Sequence, residues 1–412
     1  MSQRLGYDDL TLTRVVAKCP RVERHPMDGI PVTILSGALG AGKTTTLNHL
    51  LENAGGREIA VLVNDMGEVN VDAQLVENQE DGVAELSNGC ICCDLRDDLE
   101  VEVSRLARER EFEALVVESS GISEPAPVAR LFTTGAASAP YDLDTLATVV
   151  NAETFRETLS SDETAAVEDV RRTRTGQADR KTDRRPLSDL LVGQVECANV
   201  ILLNKCDLVD EQTLGETETL LESLNPEARI VRTEEGAVDP GEILATGLFD
   251  LETTSETAAW QRAAEHADHD HDHSPQSEYG IDSFVIRAER PVDGEAFEAF
   301  VDSLPESVVR SKGQVWVAGN DEHRHQFSQA GPSARLTPGE QWVAAMSETR
   351  QEMQRRMHPD LAWGDHGDRR TELVVIGREM DETQIRESFE ACLVDADGEY
   401  ENRFPVDATY DF

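Results

Sequence analysis

The sequence predicts an α/β protein: a doubly wound, mostly parallel sheet followed by a smaller α+β domain. Three observations carry this. Short, continuously apolar, β-branched runs recur through residues 30–255 and alternate with stretches of helical apolar spacing. That is the pattern of parallel strands buried on both faces under crossover helices. After residue 280 the pattern changes to alternating strands around a helix, which implies a second small core. Between the two lies "HADHDHDHSPQSEYG" (266–280), His/Asp-rich and then Ser/Pro-rich, with the composition of a linker.

The elements follow in order. Residues 1–29 show no period and read as an N-terminal extension. "IPVTILSG" (30–37) is a buried strand ending in glycine, and "GALGAGKTTTLNHLLENAG" (37–55) turns into a helix with a glycine stop. "EIAVLVND" (58–65), "FEALVVES" (112–119), "LATVVNA" (146–152) and "ANVILLNK" (198–205) are further buried strands, and residues 97–110 are helical. Residues 156–186 lack an apolar face and read as a surface insertion, partly helical and partly disordered. This gives a first domain over 30–255, a linker over 256–279 and a C-terminal domain over 280–412. In the last, "DSFVIRAER", "GQVWVAG" and "ELVVIGR" are strands and "GEAFEAFVDSL" is a helix.

Composition agrees with two domains, since 412 residues exceed one typical core. No apolar run reaches the ~18 residues of a membrane span. The N-terminus has no basic-then-apolar signal pattern, so a soluble cytoplasmic protein is expected. The net charge is -43, from 38 basic and 81 acidic residues. Such a field repels phosphate backbones and anionic membranes, so neither nucleic acid nor membrane is an expected partner. Lysine is confined to Lys18, Lys43, Lys181, Lys205 and Lys312. Acid excess with scarce lysine resembles proteins of salt-loving cells, where salt screens self-repulsion. The seven cysteines are odd in number and mostly isolated, which fits a reduced cytosol better than a disulfide framework.

Chemistry concentrates in a few segments. "GALGAGKT" (37–44) fits the phosphate-loop pattern G-x-x-x-x-G-K-[ST] between a strand and a helix. Gly37, Gly40 and Gly42 let the backbone wrap phosphates, Lys43 reaches the β- and γ-phosphates, Thr44 ligates Mg²⁺, and Thr45 completes the loop at the helix N-terminus. "NKCD" closes a buried strand far downstream. The Asp207 carboxylate can accept guanine N1–H and N2–H, Asn204 can address the other base edge, and the Lys205 stem can lie along the base. The combination favours GTP over ATP. "VVESSG" (116–121) offers Glu118 to the Mg²⁺ shell or to water and the Gly121 N–H to a γ-phosphate, the type of contact that switches on hydrolysis. Asp65, Glu68 and Asp72 are further candidates for Mg²⁺ or water. Lys43, Glu118 and Gly121 are thus the candidate catalytic groups, and turnover should be slow because no residue stands out as an arginine finger.

"NGCICCDL" (88–95) crowds Cys90, Cys92 and Cys93 into four positions. Thiolates suit Zn²⁺, Cu(I) or Co²⁺. Two or three of them make an incomplete tetrahedral site, fit for an ion that must be taken up and handed on. A redox pair, a structural metal site, or two buried thiols beside a chance third are the rival readings.

With these segments in view, the sequence resembles the CobW-type metallochaperone GTPases. "GALGAGKTT", "NDMGEVNVD", "ELSNGCICC", "ESSGISEP" and "NKCD" occur in the family's order, and "RPVDGEAFEAF", "RSKGQVWVAG" and "GDRRTELVVIG" resemble its C-terminal domain. The resemblance implies a P-loop fold and GTP hydrolysis with Mg²⁺. It implies delivery of a divalent metal from Cys90, Cys92 and Cys93 to a client metalloprotein; a thiolate-rich site favours zinc first and cobalt second. A homodimer is compatible with it. Departures are the length of 156–186, the N-terminal extension, and Asn151 where an aspartate is common. His266, His269, His271 and His273 stand among aspartates and could gather metal loosely; the alternative is a solvated linker that titrates near neutrality. A metal buffer or sensor with GTP as regulator, and a thiol-redox GTPase, remain as alternatives. His323 and His325 read as ordinary surface residues.

Overall fold

The structure is a computed structural model. It describes residues 29–63, 83–85, 103–108, 112–122, 125–134, 138–161, 164–172, 178–250, 280–359, 361–406 and 408–412. Its first strands are β1 (Ile30–Gly37), β2 (Ile59–Val63), β3 (Val83–Glu85), β4 (Ala114–Glu118), β5 (Tyr141–Asn151), β6 (Thr164–Arg172), β7 (Ala178–Pro186), β8 (Val200–Asn204) and β9 (Arg229–Arg232). All but β6 and β7 form one seven-stranded sheet in the order β3-β2-β4-β1-β5-β8-β9. Every neighbouring pair is parallel. β1, β4 and β8 read as continuous apolar runs because they are covered on both sides, and all five residues of β4 and of β8 are buried.

β5 starts at Tyr141, five residues before the apolar run suggests. Its first half alternates, with Tyr141 and Leu143 buried and Asp142 exposed, so a search for continuous apolarity passes over it. Residues 156–186 need a correction. Among the described residues there, the helical ones belong to Phe155–Leu159, and β6 and β7 pair antiparallel. The register sets Asp169 opposite Lys181 and Arg171 opposite Asp179. Pairing between two separate arms is a signal that one-strand periodicity does not carry.

The helices are α1 (Lys43–Glu52), α2 (Pro125–Thr133), α3 (Phe155–Leu159), α4 (Leu187–Glu196), α5 (Glu211–Leu224), α6 (Gly294–Asp302), α7 (Glu348–Met357) and α8 (Glu382–Glu390). Residues 103–108 are helical as well. None of the helices among the described residues is long and apolar enough to cross a membrane.

The second half holds β10 (Ile281–Ala288), β11 (Val308–Val315), β12 (His323–Ala330), β13 (Ser333–Gln341), β14 (Thr371–Arg378) and β15 (Tyr410–Asp411). They form one sheet in the order β10-β14-β11-β12-β13-β15, with antiparallel neighbours. Phe297 and Phe300 of α6 and Phe389 of α8 cover one face in a core with Phe284, Leu336 and Leu373. The opposite side joins the first domain. Val150, Phe155, Val192 and Val195 share a core with Ile281, Val285, Val374 and Ile376. The two halves therefore meet through apolar packing rather than through a linker alone. His325 is also corrected: it is fully buried on β12, and its Nε2 lies 2.8 Å from the Phe404 carbonyl. Burial lowers its pKa below the ordinary histidine value.

Candidate nucleotide-binding site

In a parallel sheet the strands end together, and a ligand crevice opens where the strand order reverses. Here that point is β1, flanked by β4 on one side and β5 on the other. Residues far apart in sequence meet at this edge. Leu35 pairs in register with Glu118, and Asn151 with Asn204.

The loop after β1 bends at Gly40 and Gly42, with φ of 74° and 107°. These are left-handed conformations that side chains resist. A Cβ on Gly42 would stand 2.3 Å from the Asn204 Nδ2. Lys43 opens α1 and is 7% exposed. Its Nζ reaches back across the loop and donates to the carbonyls of Gly37 at 2.8 Å and Ala38 at 3.0 Å. The ammonium thus lies over the loop interior, where a phosphate oxygen could take over as acceptor. Thr44 is half-buried and Thr45 exposed on the first turn of α1. The Thr44 hydroxyl donates to the Glu118 carboxylate at 3.1 Å. A hydroxyl and a carboxylate side by side are hard oxygen donors, a set that fits Mg²⁺ with phosphate oxygens and water completing the shell.

Glu118 ends β4 and is 4% exposed. The following turn carries Gly121 directly onto the phosphate loop, so closely that a Cβ there would be 2.6 Å from the Leu39 nitrogen. The Gly121 carbonyl accepts from Gln194 Nε2 of α4 at 3.4 Å.

The loop after β8 contributes Asn204, Lys205 and Asp207. Asn204 is 1% exposed and its amide is engaged by protein. Nδ2 donates to the Ala41 carbonyl at 2.9 Å, and Oδ1 accepts from Thr233 Oγ1 and from the Gly236 N–H, both at 3.0 Å. Asn204 therefore clamps the phosphate loop to the loop that follows β9. Lys205 is left-handed at φ 63°, a strain of about 1–2 kcal/mol for a residue with a Cβ. The turn sends Cys206 inward and leaves Asp207 exposed. Cys206 donates to the Leu203 carbonyl at 3.1 Å, and burial pushes its thiol pKa up. Asn151, at the end of β5, accepts from the Glu153 N–H at 3.0 Å and shapes the adjoining turn.

Sequence reasoning missed Thr233 and Gly236. Gly236 has φ of 71°, and a Cβ there would sit 2.6 Å from the Thr46 nitrogen, so this loop presses on the start of α1. The only signal was a glycine following the four-residue strand β9. Cys90, Cys92, Cys93, His266, His269, His271, His273, Asp65, Glu68 and Asp72 lie outside the described residues. Among the described residues, no cluster of three or more His, Cys, Asp or Glu could hold a metal.

A glycine-rich loop between β1 and α1, at the reversal point of a parallel sheet and clamped to an N-K-x-D turn, defines a P-loop nucleotide-binding protein. Residues 31–232 match the family described as CobW/HypB/UreG, nucleotide-binding domain, and residues 281–393 match the cobalamin synthesis protein cobW C-terminal domain. The chain belongs to the CobW family. It is 39% identical over 402 residues to the zinc-regulated GTPase metalloprotein activator 1 of Dictyostelium discoideum, covering 91% of this chain and 82% of that protein. It is 29% identical over 378 residues to the zinc chaperone YjiA of Escherichia coli strain K12, covering 88% and 98% of the two chains. Among solved structures, the Zn(II)-bound YjiA GTPase from E. coli aligns with a TM-score of 0.40 at 24% identity, over 89% of this chain and 99% of that one.

Proposed function

We propose that this protein is a GTP-hydrolysing zinc metallochaperone of the cytoplasm. It binds GTP with Mg²⁺ at residues 37–44, carries zinc on Cys90, Cys92 and Cys93, and passes the ion to a client metalloprotein. The observation that carries the nucleotide half is the Asn204 clamp, in which one buried amide bonds the Ala41 carbonyl of the phosphate loop at 2.9 Å. It ties the phosphate end of a nucleotide site to its base end. In this reading Lys43 exchanges its loop carbonyls for β- and γ-phosphate oxygens, and the Gly121 N–H donates to the γ-phosphate. Asp207 accepts from the guanine edge. Thr44 and Glu118 hold the Mg²⁺, which supplies charge neutralisation at the phosphates when bound.

The metal half is supported by the names of the relatives, zinc chaperones and a zinc-regulated GTPase activator. It is also supported by the chemistry of three thiolates, which suit zinc ahead of cobalt. His266, His269, His271 and His273 offer neutral imidazoles that gather ions loosely. The charge of -43 with five lysines suits a salt-rich interior.

For the ion to leave, the GTP and GDP states must differ in zinc affinity, and zinc must change GTP affinity by the same factor. The test is zinc and cobalt affinity by competition with a chromophoric chelator, at high salt, with GDP and with a non-hydrolysable GTP analogue. The analogue should tighten zinc by orders of magnitude. Equal affinities in the two states would remove the delivery mechanism.

A further inference from the structure

We propose that helix α4 couples the nucleotide site to the C-terminal sheet, with Gln194 positioning the Gly121 backbone and Glu196 anchoring the helix in the second domain. This rests on the reading of residues 37–44 as a GTP site.

α4 is ten residues long and carries contacts of two kinds. Gln194 is fully buried. Its Nε2 donates to the Gly121 carbonyl at 3.4 Å, and its own backbone carbonyl accepts from Thr148 Oγ1 of β5 at 2.8 Å. Gly121 in turn lies against Leu39 of the phosphate loop with no room for a methyl group. A ligand that moves residue 121 therefore meets Gln194 first.

Two residues on, Glu196 leaves the first domain altogether. Its carboxylate accepts from Arg310 Nε at 2.8 Å and Nη2 at 3.2 Å, and from Lys312 Nζ at 2.7 Å. Both cations belong to β11. Arg310 Nη1 continues to Ser328 Oγ at 2.8 Å and the Gln329 carbonyl at 3.0 Å on β12. At the other end of the helix, Ser188 Oγ donates to the Ala330 carbonyl at 2.9 Å. Asn225 Nδ2 fixes the C-terminus by donating to the Val195 carbonyl at 2.8 Å and the Ala198 carbonyl at 2.9 Å. Val192 and Val195 sit in the core shared by the two halves.

A helix tied at both ends and close-packed along its side shifts as a unit rather than bending. The bonds from Gly121 to β12 are contiguous, so a displacement at the nucleotide reaches the second sheet without crossing solvent. By linkage, whatever docks on the C-terminal sheet and prefers one position of α4 changes the affinity for the γ-phosphate equally. The client's presence is thereby read at the nucleotide.

The test uses the full chain. Gln194→Met keeps the length of the side chain and removes the donor. Affinities for GDP and for a non-hydrolysable GTP analogue are measured alongside amide exchange over residues 308–330 in both states. In the wild type the two nucleotides should give different exchange over 308–330. In the variant that difference should vanish, and analogue affinity should fall about fivefold more than GDP affinity, the equivalent of one hydrogen bond. Lys312→Met, which removes one of the two cations on Glu196 and leaves the Arg310 pairing in place, should reduce the exchange difference without erasing it. Equal losses for both nucleotides in Gln194→Met mark a purely structural residue and overturn the proposal. So does an exchange difference that survives undiminished in both variants. A wild type that binds neither nucleotide fails the GTP reading itself. A wild type that binds both, with the same exchange over 308–330 in each state or with unchanged variants, fails only the coupling.

Discussion

Replacing Glu196 by glutamine keeps the shape of the side chain and removes one charge from the junction between the two halves. Arg310 and Lys312 would then be 4% and 15% exposed cations with no carboxylate between them. Removing one partner of a buried pair costs about 3–5 kcal/mol, because the remaining charge is stranded. The carboxyl itself gives an independent figure. Burial alone would raise its pKa, but the charges and hydrogen bonds of Arg310 and Lys312 outweigh burial and bring it from 4.5 to about 2. At 1.36 kcal/mol per unit, that depression corresponds to about 3 kcal/mol. The sign follows from the depressed folded value. The stabilisation is complete above pH 4.5 and is lost as the pH falls towards about 2. Urea denaturation of wild type and Glu196→Gln, at fixed high salt, measures it. We expect a gap of about 3 kcal/mol at pH 7, shrinking to under half at pH 3. A gap below about 1 kcal/mol at pH 7, the range of an exposed ion pair, would refute the reasoning. So would a gap that does not change between the two pH values.

Three further outcomes are expected. Gly42→Ala sets a methyl group against the Asn204 Nδ2 at a φ of 107°, and nucleotide affinity should fall more than tenfold, about 1.4 kcal/mol, in a fluorescent-nucleotide titration. Asp207→Asn replaces a double acceptor by an amide with one acceptor and one donor. GTP affinity should drop roughly tenfold to a hundredfold by calorimetry, with a relative gain for xanthosine triphosphate, whose ring offers an acceptor where guanine offers its amino group. A triple Cys90→Ser, Cys92→Ser and Cys93→Ser variant should lose tight zinc binding in the chelator competition and keep its affinity for GDP. A simultaneous loss of both would place the thiols in the nucleotide fold instead.

Much of the nucleotide site was legible because it is contiguous. A phosphate loop is a run of eight residues, and N-K-x-D is a run of four, each bounded by strands whose apolarity is continuous. The second domain was legible only in part. β12 buries His325, Phe327 and Gln329 on its inner face, at 0%, 1% and 4% exposure. Only one of the three is apolar, so hydropathy passes over the strand and leaves His325 looking like a surface residue. The pairing of β6 with β7 escaped because it joins two separate arms of the chain. Asn204 was recognised, but its use as a clamp depends on Thr233 and Gly236, some thirty residues away.

The sequence alone determined the class of chemistry: the glycine turns, the lysine, the carboxylates and the strand–helix alternation are local, and backbone sterics make them mean much the same wherever they occur. Tertiary structure decided which of these groups meet. The ends of β1, β4 and β8 come together because parallel pairing aligns Leu35 with Glu118 and Asn151 with Asn204. Glu196 faces Arg310 and Lys312 because two sheets share one core on either side of α4. Such registers and shared faces are set by packing over the whole chain, and no short window of residues carries them.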